Sequence, residues 1–389
     1  MIGAIRRAIT MVLGSAFATA LVACGDPREQ VTIYVSADDY VARPLLAQFE
    51  EESGLEVVAR YDTEATKTTG LVNRIRDEAS RPRADVLWSS EPFMMAQLAE
   101  EGLLMAPPAD RLTDWPEAWR DPERRWHAFS GRARVIVYAP DRVPADRVPR
   151  TWMDLTRPWW KDRIVMADPR FGTTRGHLGA MKRTWDREVM PGYYEAFLEG
   201  LAENGIRLLP GGNAAVVEAV ASGEADVGLT DTDDVWVAQD RGFAVELVYP
   251  RHAPDEAPGG GTLVVPNTAA IVRGGPNPDG AVRLLEFLLS KEAEVALMRT
   301  ASRNAPLVHL EALEGDDAVQ AAALEVPDPL RLDYGRASKS MDEAVAIAMR
   351  ILTAPPVVPI GREADDSEVE ADAGVEAAPS NGDGAAGEP

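Results

Sequence analysis

The chain has 389 residues, 46% hydrophobic and 26% charged, which is globular composition at a length sufficient for two domains. Lys plus Arg number 40 and Asp plus Glu 63, a net charge of −23 that argues against nucleic acid as a partner. A single cysteine excludes an internal disulfide and a cysteine-bound metal cluster.

In chain order, Arg6 and Arg7 precede an apolar run over residues 8–20 that is short for a membrane span and ends in Leu21-Val-Ala-Cys24. The pattern resembles a bacterial lipobox. Residues 1–23 then read as a lipoprotein signal peptide, Cys24 as the acylated mature N-terminus and residues 24–30 as a tether. Residues 31–35 read as a strand, with the polar loop Ser36-Ala-Asp-Asp39 leading into a helix over 41–53 that Gly54 closes. Two more strand–loop–helix units follow. One has a strand at 56–61, a loop holding Glu64 and Lys67, and a helix from 68 to about 79. The other has a strand at 85–88, the loop Ser89-Ser-Glu91, and a helix at 92–101. Three such units predict an open parallel sheet with right-handed crossovers.

A passage rich in Pro and Trp, residues 107–122, leads to strands at 126–129 and 134–138. Trp115, Trp119, Trp159 and Trp160 read as packing residues rather than ligand stackers. A second βα series begins with a strand at 164–166, an exit loop at 168–174 and a helix at 175–185. It continues with a helix at 193–204, a strand at 206–208, a helix opened by Gly211-Gly-Asn213, and a strand at 227–229. After Thr230-Asp-Thr-Asp-Asp234 come a helix at 235–240 and a strand at 245–249. A Gly/Pro-rich loop, 254–261, returns the chain to strands at 262–265 and 269–272, assigned to the first sheet. Helices at 278–289, 292–298 and 340–352 follow. The end of the chain, 356–389, is acidic and poor in large apolar residues. It cannot bury enough surface to offset its ordering entropy, so it reads as a disordered tail.

Every exit loop is polar, and ligands in open α/β sheets sit outside the carboxyl ends of the strands. If two sheets face each other across a cleft, these loops converge on it. The expected ligand-binding set is Asp38, Asp39, Glu64, Lys67, Glu91, Arg132, Thr173, Thr174, Asn213, Asp231, Asp233 and Asp234. Three carboxylates within four residues repel one another unless something positive sits among them, which raises their expected pKa in an empty cleft. Asp231, Asp233 and Asp234 are thus expected to hold the positive part of a solute, with Asp39, Asp233 and Asp234 as metal ligands. The plainer alternative is that Asp233 or Asp234 simply caps a helix. Gly172-Thr-Thr174 and Gly211-Gly-Asn213 place backbone N–H groups at helix starts. Together with Arg132 and Arg134 they suit an anion. A mixed-sign pocket of this kind fits a cation with its counter-anion, or a zwitterion.

No HExxH, Gly-x-Ser-x-Gly, Walker loop or dinucleotide fingerprint is present. His127, His177, His252 and His309 are scattered singly without metal-ligand spacing. His177, one turn after Thr173-Thr174, is the one expected nearest the cleft, with packing roles favoured for all four.

Strand 31–35, Arg81-Pro-Arg-Ala-Asp-Val-Leu-Trp88, Ser130-Gly-Arg-Ala-Arg-Val-Ile-Val-Tyr138, Gly223-Glu-Ala-Asp226 and the helix at 278–289 resemble bacterial extracellular solute-binding proteins of ABC importers, closest to the ferric-ion-binding branch. The likeness runs from about Val31 to Pro306. It implies a two-lobed α/β type II periplasmic-binding fold, a Venus flytrap with a two-strand hinge near 130–134 and 249–262. Lobe 1 would be 31–131 plus 257–305, and lobe 2 132–256 plus 306–355.

The resemblance further implies a monomeric, non-enzymatic receptor in the periplasm or cell envelope, tethered through Cys24 and serving a permease and an ATPase. Its solute would be ferric ion or another hard cation, with a synergistic carbonate or phosphate-like anion at Arg132, Gly172-Thr-Thr174 and Asn213. The chain departs from that branch where a tyrosine pair is expected, because Asp233-Asp234 stands there, and Tyr193-Tyr194 lies in an earlier helix. A phosphonate, thiamine-like or other cationic or zwitterionic organic solute is the alternative, as is a sensor lipoprotein without a transporter. Enzymes of this fold that rely on a cleft cysteine are excluded, since Cys24 belongs to the anchor.

Overall fold

The computed structural model describes residues 29–62, 68–253 and 259–354. The signal segment, Cys24, Glu64, Lys67 and the tail 356–389 lie outside the described residues. The elements are β1 (Gln30–Val35), α1 (Asp39–Ser53), β2 (Glu56–Tyr61), α2 (Thr69–Asp77), β3 (Val86–Ser89), α3 (Phe93–Glu100), β4 (Leu104–Met105), β5 (His127–Tyr138), β6 (Ile164–Ala167), α4 (Gly172–Thr184) and α5 (Tyr193–Glu203). There follow β7 (Arg207–Leu209), α6 (Gly212–Ala221), β8 (Val227–Asp231), α7 (Thr232–Asp240), β9 (Glu246–Val248), β10 (Val264–Val272), α8 (Pro278–Leu288), α9 (Lys291–Met298), α10 (Gly315–Ala323), α11 (Tyr334–Ser338) and α12 (Met341–Leu352).

Strand order is β2-β1-β3-β10-β5-β8-β6-β7, with β4 on β10 and β9 on β5. β1 runs parallel to β2 and β3, and β6 runs parallel to β7 and β8. Strands buried on both faces read as continuous apolar runs, and Val31, Ile33, Tyr34 and Val35 are all fully buried. In the first half, Leu45, Phe49 and Trp88 pack on one face and Leu87, Phe93 and Leu98 on the other. In the second half the two faces are filled by Trp152, Trp185 and Phe197, and by Val165, Val216 and Val235.

Two pairs of expected strands fuse. Residues 126–129 and 134–138 form one strand, β5, because Ser130 at φ 35° bends it without ending it. Its first part, through Ala133, pairs with β10, and Arg134–Tyr138 pairs with β8, so one strand belongs to both halves. Residues 262–265 and 269–272 likewise merge into β10, whose register shifts between Pro266 and Asn267. Proline has no N–H to give the ladder, which favours a bulge there.

Helix ends follow local chemistry. Gly54 closes α1 in the left-handed conformation, its N–H donating to Glu50 O at 3.0 Å. α4 approaches α3 closely at Gly176, where a Cβ would lie 2.2 Å from the Phe93 ring. The glycine lets the helix whose N-terminus faces the cleft rest against the first half. Of Trp115, Trp119, Trp159 and Trp160, Trp115 and Trp160 are buried, whereas Trp159 is 38% exposed under Arg147 and Arg163.

The segment after residue 306, expected wholly in the second half, divides instead. α10 packs on α9, α11 on both α3 and α4, and α12 on α4 and α5. The short α10 and α11 carry no sharp sequence signal.

Candidate functional site

β8 carries the site. The sequence suggests a strand ending at Leu229 and a polar turn, but the strand runs through Asp231 with all five residues buried, and α7 starts at Thr232. Neither Asp233 nor Asp234 is the N-cap. Asp231 is, without a side-chain cap bond, and Asp233 and Asp234 occupy the first helical turn. There the helix dipole favours their negative charge.

The Asp231 carboxylate, 1% exposed, is held from three elements. Its Oδ2 accepts from Thr173 Oγ1 at 2.7 Å, Asn213 Nδ2 at 2.9 Å and Arg132 Nε at 3.2 Å. Its Oδ1 accepts from Arg134 Nη1 at 3.0 Å. Thr173 lies at the N-terminus of α4, Asn213 at that of α6, and both arginines on β5. This corrects the expectation of a raised pKa. Burial works against the charge, but Arg134 and Arg132, with the Thr173 bond, outweigh it and hold the Asp231 carboxyl below its ordinary value.

Arg132 also contacts Asp233 at 3.4 Å and donates to Ser90 O at 2.7 Å. Burial opposes its charge, and Asp233, Asp231 and Asp234 more than restore it, raising its pKa. Arg134 is fully buried. It donates to Asn213 Oδ1 at 2.9 Å, Thr174 Oγ1 at 3.0 Å, Leu229 O at 3.3 Å and His177 Nδ1 at 3.2 Å. Arg132 and Arg134 stand two residues apart on one strand and so point to the same face. Their alternation in an otherwise apolar run was a legible signal for Arg134.

Behind Arg134, the Nε2 atoms of His177 and His252 lie 3.0 Å apart, and His252 Nδ1 is 2.7 Å from Gly261 O. With Arg134 donating to His177 Nδ1, the network assigns neutral tautomers. His177 Nε2 donates to His252, and His252 Nδ1 donates to the carbonyl. Burial, then the charges of His252 and Arg134, hold His177 well below its ordinary pKa, and burial holds His252 at about 4. Both histidines brace the arginine from inside the protein.

Asp38, Arg132, Thr173, Thr174, Asn213, Asp231, Asp233 and Asp234 line one cavity of about 200 Å³, together with Ser90, Asp168, Arg170 and Gly172. Asp231, Asp233 and Asp234 each offer a carboxylate oxygen within 4.8 Å of the others, a hard-oxygen set suited to a hard cation.

Two expected residues lie elsewhere. Asp39 pairs with Arg43 at 2.7 Å and faces a neighbouring cavity with Tyr40, Asp234, Arg241 and Phe243, so it is not among the clustered carboxylates. Glu91 is buried and accepts the N–H groups of Phe93 at 2.7 Å and Met94 at 3.1 Å at the start of α3; burial pushes its carboxyl up to about 7. Its geometry is that of a helix-end acceptor. Tyr40 was not singled out from sequence, yet its exposed ring lines the neighbouring cavity and its hydroxyl lies 2.9 Å from Ser302 Oγ.

The family model described as "Bacterial extracellular solute-binding protein" matches residues 31–300. The chain belongs to this family. Such solute-binding proteins work outside the cytoplasm, and the family is one of transport proteins rather than enzymes. The chain is 28% identical over 309 residues to Iron uptake protein A1 of Synechocystis, covering 75% of this chain and 82% of that protein. It is 27% identical over 293 residues to the Major ferric iron-binding protein of Neisseria meningitidis serogroup B, covering 74% and 84%. Among solved structures, iron-bound HitA from Pseudomonas aeruginosa superposes with a TM-score of 0.70 at 23% identity, over 83% of this chain and 99% of that one. That likeness establishes the two-lobed α/β fold of the solute-binding proteins for this chain.

Proposed function

We propose that the protein captures a hard cation, ferric ion first among them, between two lobes and delivers it to an ABC permease and ATPase, without turning it over. One observation carries this reading. Asp231, Asp233 and Asp234 bring three carboxylate oxygens within 4.8 Å at the end of β8, where the cavity opens. The iron-binding relatives named above support the choice of ion. A negative group held by Arg132, Thr173 and Asn213 completes the site. The lobes divide near residues 131 and 257, with β5 as one hinge strand. A single copy encloses the solute, so the receptor works as a monomer.

The experiment is a ferric-ion competition titration against a chelator. Asp233→Asn and Asp234→Asn keep the side-chain shape and remove a charge, and each should weaken binding by about 2–5 kcal/mol. Variants that bind as tightly as wild type would leave the two residues as first-turn helix acids only. A wild-type protein that ignores ferric ion but is stabilised by a cationic vitamin or a phosphonate would instead favour an organic solute.

The address rests on Leu21-Val-Ala-Cys24, and we propose acylation of Cys24 with the chain tethered in the cell envelope. Cys24→Ala should move the protein from the membrane to the soluble fraction. Unchanged fractionation would sink the anchor.

A further inference from the structure

We infer that Asp231 is a built-in counter-anion: its carboxylate fills the anion subsite, so the receptor takes its cation without an anion from solution. This rests on the reading of the cleft as a cation receptor. The geometry is that of a complete anion shell whose occupant is part of the chain. Thr173 Oγ1, Asn213 Nδ2, Arg132 Nε and Arg134 Nη1 converge on one carboxylate at 2.7–3.2 Å.

The donors have little left to give. The single Thr173 hydroxyl proton points at Asp231, and its oxygen accepts from Asn213 Nδ2 at 2.8 Å. Asn213 cannot turn its amide round, because Oδ1 accepts from Arg134 Nη1 at 2.9 Å. Arg134 directs its other nitrogens at His177, Thr174 and Leu229 O. An entering phosphate or carbonate would meet occupied donors and a fixed negative charge in contact with them.

Charge and linkage both favour the internal group. Arg132 and Arg134 supply two positive charges against the three negative ones of Asp231, Asp233 and Asp234, so the filled subsite leaves the cavity attractive to a cation. Because Asp231 is tethered, it competes at a high effective concentration, whereas a free anion must be recruited from solution.

The test compares wild type with Asp231→Ala, using inorganic phosphate as the probe. In metal-free protein, phosphate should leave the wild-type melting temperature unchanged, and it should raise that of Asp231→Ala saturably by filling the vacated donors. With ferric ion, wild-type affinity should be the same with and without phosphate or bicarbonate, while that of Asp231→Ala should rise about tenfold or more on adding either anion. Saturable phosphate stabilisation of wild type, an anion-dependent wild-type ferric affinity, or an Asp231→Ala variant indifferent to phosphate would each overturn the assignment. If Asp231→Ala does not fold, the two wild-type measurements still decide it. A wild type that binds no ferric ion defeats the proposed solute, but the metal-free phosphate comparison judges Asp231 independently.

Discussion

Replacing Arg134 by methionine should destabilise the folded protein by roughly 3–5 kcal/mol, read as the loss of unfolding free energy in urea. The side chain is fully buried and holds the Asp231 carboxylate at 3.0 Å. It also binds Asn213, Thr174, Leu229 O and His177. Methionine keeps much of the volume, so the cost comes from leaving Asp231 buried with Arg132 as its remaining arginine partner, and from stranding the acceptors behind it. The double variant Arg134→Met/Asp231→Leu separates these contributions. Removing both charges abolishes the buried carboxylate that has lost one of its two arginines, so its loss should fall short of the sum of the single variants by about 2–3 kcal/mol. Additive losses, or a single-variant loss under about 1 kcal/mol, would mean that the pair contributes far less than its burial implies.

That pair also shows where the sequence stopped being legible. The strand–helix units of the first sheet are readable because apolar runs and glycine stops such as Gly54 and Gly102 are local signals. In the sequence Thr230 and Asp231 look like a turn, because polarity alone cannot tell a solvated carboxylate from one buried against arginines. The arginines that make burial tolerable lie 97 and 99 residues away in the chain. The same limit explains the expected raised pKa, since like-charge repulsion within 231–234 is visible in the sequence and the opposing charge of Arg132 and Arg134 is not placed by it. Thr173 and Asn213 were legible as helix-start donors, although what they hold is the chain's own carboxylate. Glu91 and Asp39 look like cleft residues in the sequence for the reverse reason. A short-range partner, the α3 amides or Arg43, engages each of them. Ser130-Gly131 looked like a strand break because the residue that receives the Ser130 N–H is Glu294, far along the chain.

Glu294 is therefore the second position where a large effect is expected, and one that no motif announced. Its carboxylate is fully buried on α9. Oε1 accepts from Ser130 N at 2.8 Å and Leu307 N at 2.9 Å, and Oε2 from His309 N at 3.0 Å and His309 Nδ1 at 2.9 Å. One side chain thus fixes the bend in β5, where the strand passes between the two halves, and the segment that follows α9. Glu294→Ala would orphan several buried amides at once and should cost roughly 3–5 kcal/mol at neutral pH, with the bend at Ser130 losing its support. Glu294→Gln keeps the volume but turns one acceptor into a donor facing amides, so it should recover little.

The pH dependence follows from the direction of the shift. Burial opposes the charge, but the His309 bond and the amides of Ser130, Leu307 and His309 outweigh it and hold the Glu294 carboxyl below its ordinary value. A depressed carboxyl contributes stability above its unfolded pKa, near 4.3 for glutamate, and loses that contribution as pH falls through the folded value. The gap in unfolding free energy between wild type and Glu294→Gln should then be widest at neutral pH and narrow steadily below about pH 4.3. Taking the difference cancels the other buried groups. These include His127 and His252, both held at about 4, which also favour the folded state less as the medium is acidified, and Glu91, raised to about 7, which acts in the opposite sense. A gap that stays constant down to acid pH would show that the carboxylate charge at the bend is not what holds it.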